Sequence, residues 1–186
     1  MRTHTRMLTV LAALVTASIL APEVSAEETW VRIMSHDKKA SALFPAQPDK
    51  IETLTRKSPA GTINTSRGQY EEEGVLLSLA GTKLPRAALK FAGTDKILGN
   101  AAEGVLGKYL AKKTSEKKTT IGGEPAVILE FRVPDYEKED HPGYRGVAIA
   151  LLVDETLYVV TGIVTKEDPK SKAKVRKLLE SIQVHK

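Results

Sequence analysis

Cysteine is absent from the 186-residue sequence. That removes a disulfide framework, a thiol nucleophile and a thiolate metal site. It also excludes a lipid-anchored bacterial lipoprotein, whose processing needs a cysteine at the cleavage point. Histidine is scarce, at His4, His36, His141 and His185, and no two stand four apart as a helical metal pair requires. No serine sits in a G-x-S-x-G elbow. Gly99 and Gly104 have the spacing of a phosphate loop's first half, but Val105-Leu106 stands where Lys-Ser/Thr is needed. They read as a helix packing face. Aromatics make up 5% of the chain and are not interleaved with its basic stretches, which argues against single-stranded nucleic acid. No apolar run is long enough to span a bilayer. The strongest, Met7–Leu20, has 14 residues broken by Thr9, Thr16 and Ser18, against about 20 for a spanning helix.

That stretch has another use. Arg2 and Arg6 precede it, Pro22 follows it, and Val24-Ser25-Ala26 offers the small residues a signal peptidase reads. The order predicts a cleavable signal peptide over residues 1–26 and a single domain over 27–186, periplasmic or secreted. An uncleaved N-terminal anchor is the competing reading. Without 1–26, 26 basic and 22 acidic residues remain, a charge near +4 with both signs mixed. This describes a solvated surface with a modest positive bias, not a nucleic-acid footprint.

Periodicity then sets the elements. Trp30–Met34 is a short apolar segment, and an Asp37–Lys39 turn leads from it into the strand Ala40–Phe44, closed by Pro45 and Pro48. Ile51–Arg56, Thr62–Tyr70 and Val75–Leu79 continue as hairpin strands, with Ser58–Gly61 and Glu71–Gly74 as turns. Ile97, Leu98, Ala101, Ala102, Val105, Leu106, Tyr109 and Leu110 recur every three to four residues and predict a helix, with Pro85–Phe91 as a helical lead-in. Thr94 or Asp95 is the expected cap, and Lys112 and Lys113 suit its negative end. Gly99, Gly104 and Gly107 would either let it approach a sheet closely or break it. Lys117–Ile121, Pro125–Val133, Tyr144–Val153 and Thr156–Val164 follow as strands. The last two are the most apolar and belong at the sheet's centre. Asp168 and Pro169 open a final helix burying Val175, Leu178, Leu179 and Ile182, with Lys170, Lys174 and Lys177 pointing away. Strands, helix, strands, helix, joined by short turns, predict an α+β fold: an antiparallel β-sheet with helices packed on it.

Several of these residues carry a resemblance. The Ala40–Phe44 strand closing in Phe44-Pro45-x-x-Pro48, the Gly122-Gly123 hairpin, Arg145-Gly146, Leu157-Tyr158 and a terminal helix through Leu179-x-Ser181-Ile182 resemble PsbP-like domains. The resemblance implies an α/β/α sandwich. It also implies a binding or accessory protein rather than an enzyme. It brings no functional residue with it. No cofactor is expected.

Two clusters merit testing as sites. Asp135, Glu137, Glu139, Asp140 and His141 crowd one loop, a weak candidate for a cation. Lys138 among them, and no glycine at the sixth loop position, favour a plain solvated hairpin. Lys112, Lys113, Lys117 and Lys118, with Lys170, Lys174 and Lys177, are surface-contact candidates for an anionic envelope surface or an acidic protein. Asn64-Thr65-Ser66 is a glycosylation sequon, relevant only in a eukaryotic secretory pathway. The leading expectation is an exported, non-enzymatic binding module of the envelope. The alternatives are a small-ligand carrier with a groove between helix and sheet, and a hydrolase built around His141.

Overall fold

The computed structural model describes residues 29–58, 61–134 and 143–185. The predicted signal peptide, and the loop holding Asp135, Glu137, Glu139, Asp140 and His141, lie outside these described residues.

Two features of the chain build the centre. Tyr144–Val153 (β8) and Thr156–Val164 (β9) are apolar on both faces, so each needs cover on both sides. Asp154 takes φ 50° in the turn between them, a left-handed conformation that aspartate tolerates. The two strands pair antiparallel from Arg145↔Val164 to Val153↔Thr156. On one side β8 is continued by Glu124–Val133 (β7) and then Lys112–Ile121 (β6). On the other, β9 is continued by Val75–Lys83 (β5), Gly61–Glu72 (β4) and Lys50–Ser58 (β3). The result is a seven-stranded antiparallel sheet in the order β3-β4-β5-β9-β8-β7-β6.

Alternation along these strands divides the core between two faces. One presents Leu77, Leu79, Ile149, Leu151, Tyr158 and Val160. It is covered by a small sheet of Val31–Met34 (β1), Ala40–Phe44 (β2) and Gln183–Val184 (β10), together with the helix Pro169–Glu180 (α3). Phe44, Val175 and Leu178 fill the space between, each worth about 1.5–3 kcal/mol when fully buried. Asp168 caps α3 by accepting from the Ser171 amide at 2.9 Å, with Pro169 at the first helical position. The opposite face is covered by Thr94–Lys108 (α2), preceded by the short helix Arg86–Ala92 (α1). There Ala102 and Val105 meet Leu129, Phe131 and Ala148, and Ile97 and Leu98 meet Val127, Ala150 and Leu152.

Around α2 the structure departs from the sequence expectations. Gly93 at φ 72° holds the N-cap position, so neither Thr94 nor Asp95 caps the helix. Gly99, Gly104 and Gly107 neither break α2 nor draw it onto the sheet. A Cβ added at any of them meets nothing within 4 Å, because all three lie off the stripe that Ile97, Leu98, Ala102 and Val105 bury. The helix ends at Lys108, and Leu110 at φ 48° turns the chain. Lys112 and Lys113 therefore open the strand β6 rather than closing a helix.

Candidate functional site

The turn between β1 and β2 is anchored by one carboxylate. Asp37 accepts hydrogen bonds at Oδ1 from Ser35 Oγ (2.8 Å) and the Lys39 amide (3.3 Å). At Oδ2 it accepts from Tyr158 Oη (2.5 Å) and Thr156 Oγ1 (3.0 Å) on β9. Lys39 adds an ion pair to Asp154. Burial opposes ionisation of Asp37, but the donors from Tyr158, Ser35, the Lys39 amide and Thr156 outweigh it and hold the carboxyl below its usual range. Burial, and then the hydrogen bond to Asp37, push the Tyr158 phenol upward, so it stays neutral and donating.

This anchored turn stands beside a thin stretch of sheet. Thr53 on β3 pairs with Ser66 on β4, which pairs with Gly81 on β5, so three small residues share the face under the turn. Gly81 has a packing reason, since an added Cβ would press on the Tyr158 ring at 3.2 Å. The space left above them forms two adjoining hollows of about 320 and 510 Å³, with His36, Thr53, Ser66 and Gly81 common to both. One hollow continues past Thr55, Asn64 and Lys83, and the other toward Arg32, Met34 and Ile51. Met34 and Ile51 are 42% and 77% exposed, large apolar side chains at the rim of a hydroxyl-lined floor.

No sequence signal singled out this groove. Its trace lies in the alternation: Ile51, Thr53 and Thr55 share a face with Asn64 and Ser66, which is small and polar where the rest of that face is aliphatic. A face that ought to be buried but carries hydroxyls marks a gap in its cover.

The lysines distribute differently from expectation. Lys174 does not point away: it is 5% exposed and ion-paired with Glu72, whose Oε2 accepts from Tyr70 Oη at 2.5 Å. Its neighbours on the buried stripe of α3 are Ser171, Val175 and Leu178, so its stem packs inward and its charge requires the partner that β4 supplies. Lys170 and Lys177 lie on exposed positions, the latter with Nζ 4.4 Å from the centre of the Trp30 ring. On the edge strand β6, Lys113 pairs with Glu116 (2.8 Å) and Glu103 (3.7 Å), and Lys118 with Asp95 (2.7 Å). Lys112 and Lys117 are exposed on that strand. The β6 and α3 lysines thus belong to different elements, with β7 and β8 between β6 and β9. Among the described residues, no group of three or more histidine, aspartate or glutamate side chains is placed to hold a metal ion. No helix among them is long and apolar enough to cross a membrane.

No family model matches the chain, and no curated protein does. Its fold is similar to the solution structure of cyanobacterial PsbP (CyanoP) from Synechocystis sp. PCC 6803. That match has 16% identity, covers 91% of this chain and 100% of the other, and has a TM-score of 0.50. A crystal structure of a Pseudomonas aeruginosa protein of unknown function overlaps at 14% identity, covering 82% of this chain and 94% of the other, with a TM-score of 0.40. The first likeness matches the antiparallel sheet with helices described above, a PsbP-like fold.

Proposed function

We propose that this PsbP-like chain is an exported binding module of the cell envelope, working by contact with another protein rather than by chemistry, with the groove beside the β1–β2 turn as its contact surface. One observation carries the reading. The groove joins exposed apolar side chains, Met34 and Ile51, to a floor of hydroxyl and amide groups from Thr53, Thr55, Asn64 and Ser66. An apolar anchor beside oriented hydrogen-bonding groups is how protein contact surfaces combine affinity with register.

The acidic group nearest this floor is unsuited to acid–base work. Both oxygens of Asp37 are engaged by donors, and its carboxyl is held ionised, far from the near-neutral poise a general base or acid needs. Export is supported by the charge and hydropathy order of residues 1–26. A carrier using the space between helix and sheet finds that space filled, since Ala102 and Val105 pack directly on Leu129 and Phe131.

A photo-crosslinking residue introduced at Met34 in the full chain tests the proposal in cells. We expect one envelope protein to be captured, and the adduct to disappear when Thr53→Trp fills the groove without loss of folding. Adducts from a probe at Lys117 on β6 with none from Met34 would place the contact elsewhere and sink the proposal.

A further inference from the structure

Among the described residues, the seven-stranded sheet ends in two unpaired edges, and they are built differently. β6 is defended: Lys112, Lys113, Glu116, Lys117 and Lys118 charge it, and its pairing with β7 slips register between Lys113 and Ser115. Charge and a bulge are the usual means of keeping an edge from accepting another strand. β3 also carries charge, at Lys50, Glu52, Arg56 and Lys57, but of both signs, and it lacks the bulge. It pairs with β4 over nine residues, from Lys50↔Gln69 to Ser58↔Gly61, without a register shift. It also displays Ile51 and Leu54 at 77% and 54% exposure, flanked by β-forming threonines. Such an edge is a template for another strand.

We infer that β3 is a self-association edge, pairing antiparallel with β3 of a second copy about a twofold axis through Leu54. The sequence Lys50-Ile-Glu-Thr-Leu-Thr-Arg-Lys-Ser58 is self-complementary about that residue. A twofold perpendicular to the sheet keeps each face with its counterpart, so odd positions meet odd and even meet even. Centred on Leu54, the two copies of Leu54 meet each other on the face shared with Thr65. On the same face Glu52 stands opposite Arg56 of the partner subunit, twice by symmetry. On the groove face Thr53 meets Thr55 of the partner subunit, and Ile51 lies under the aliphatic stem of Lys57 of the partner subunit. Neighbouring registers lose this match. Centred on Thr53, Lys50 would face Arg56 of the partner subunit; centred on Thr55, Leu54 would face it instead.

Glu52 is held ionised chiefly by Lys50 and also by Arg67, with which it already pairs, and Arg56 of the partner subunit, at an exposed position, would join that cluster as a further cation. The dimer would carry one sheet through fourteen strands, twice the seven of one copy, and set the two grooves side by side on one face. Self-pairing does not depend on the groove's role, because a monomer could bind a partner there equally well.

The chain's lack of cysteine makes the test clean. Sedimentation of the purified full chain across a concentration series should show a monomer–dimer equilibrium. Leu54→Lys should abolish the dimer, and Arg56→Glu, which sets like charges opposite Glu52, should weaken it by about tenfold or more. Both positions are exposed, so circular dichroism should be unchanged. Leu54→Cys should form a symmetric disulfide under mild oxidation much faster than Lys117→Cys on β6. A monomer at every concentration overturns the inference. So does a dimer indifferent to Leu54→Lys, or one with no preferential Leu54→Cys crosslink. Adducts between Leu54→Cys and a different envelope protein would give the edge another occupant and overturn self-pairing as well.

Discussion

Asp37 shows how a single side chain fixes a segment larger than itself. Its two oxygens receive hydrogen bonds from both ends of its own turn and from β9, so the β1–β2 hairpin is held at one angle to the main sheet. Since its folded-state pKa lies below the ordinary 3.8, its contribution is fully present above that value and is lost as pH falls through the folded value. Thermal melts of the native chain should therefore fall steeply in Tm below about pH 4, and Asp37→Asn should flatten that fall while lowering Tm at neutral pH. Parallel curves would show that the carboxylate is not coupled to folding. Lys174 teaches a second lesson at this scale. Residue type placed it in solvent, but its position beside Val175 put it on the buried stripe, paired with Glu72. A strand some hundred positions earlier supplies that partner, and no local pattern around residue 174 records it.

Among the elements, β8 is packed closely at Gly146. This glycine sits between Phe131 on β7 and Ile163 on β9, and an added Cβ would intrude on the Phe131 ring. That ring is 1% exposed and stacked on Tyr109 at 6.1 Å between centroids, so it has little room to yield. Gly146→Ala should cost about 1–3 kcal/mol by overpacking, measured by urea unfolding, and Phe131→Leu in the same chain should restore part of the loss. A change within about 0.5 kcal/mol, the range of an inert surface substitution, would mean the strand moves aside. Continuous apolar runs made β8 and β9 legible, with limits that coincide with the expected segments, and the Asp168-Pro169 cap marked the start of α3; the helix ends at Glu180, so Ile182, expected on its stripe, is buried just beyond it. The start of β6 was hidden because Lys112–Lys118 is exposed throughout and shows no alternation. β10 escaped notice because two residues cannot display a period; its strand character comes from pairing with β2.

At the scale of the molecule, where charge sits matters more than how much there is. The lysines of 112–118 and of the final helix looked like grounds for an anionic surface, yet several of them are engaged internally. Lys113 and Lys118 tie β6 to Glu103 and Asp95 of α2, and Lys174 is buried against Glu72. Each lysine near an anionic membrane contributes about 1 kcal/mol when its charge is uncompensated, and the field of exposed charges decays over roughly 8 Å at physiological salt. Lys112 and Lys117 lie on the edge strand opposite the groove's side of the sheet, with Lys170 and Lys177 on α3, too dispersed to act as one patch. Sedimentation with phosphatidylserine-containing vesicles at physiological salt should therefore retain no more protein than neutral vesicles do. Retention on the anionic vesicles that vanished with Lys112→Glu and Lys117→Glu would make the β6 edge the working surface. The groove would then be left as a feature of packing alone.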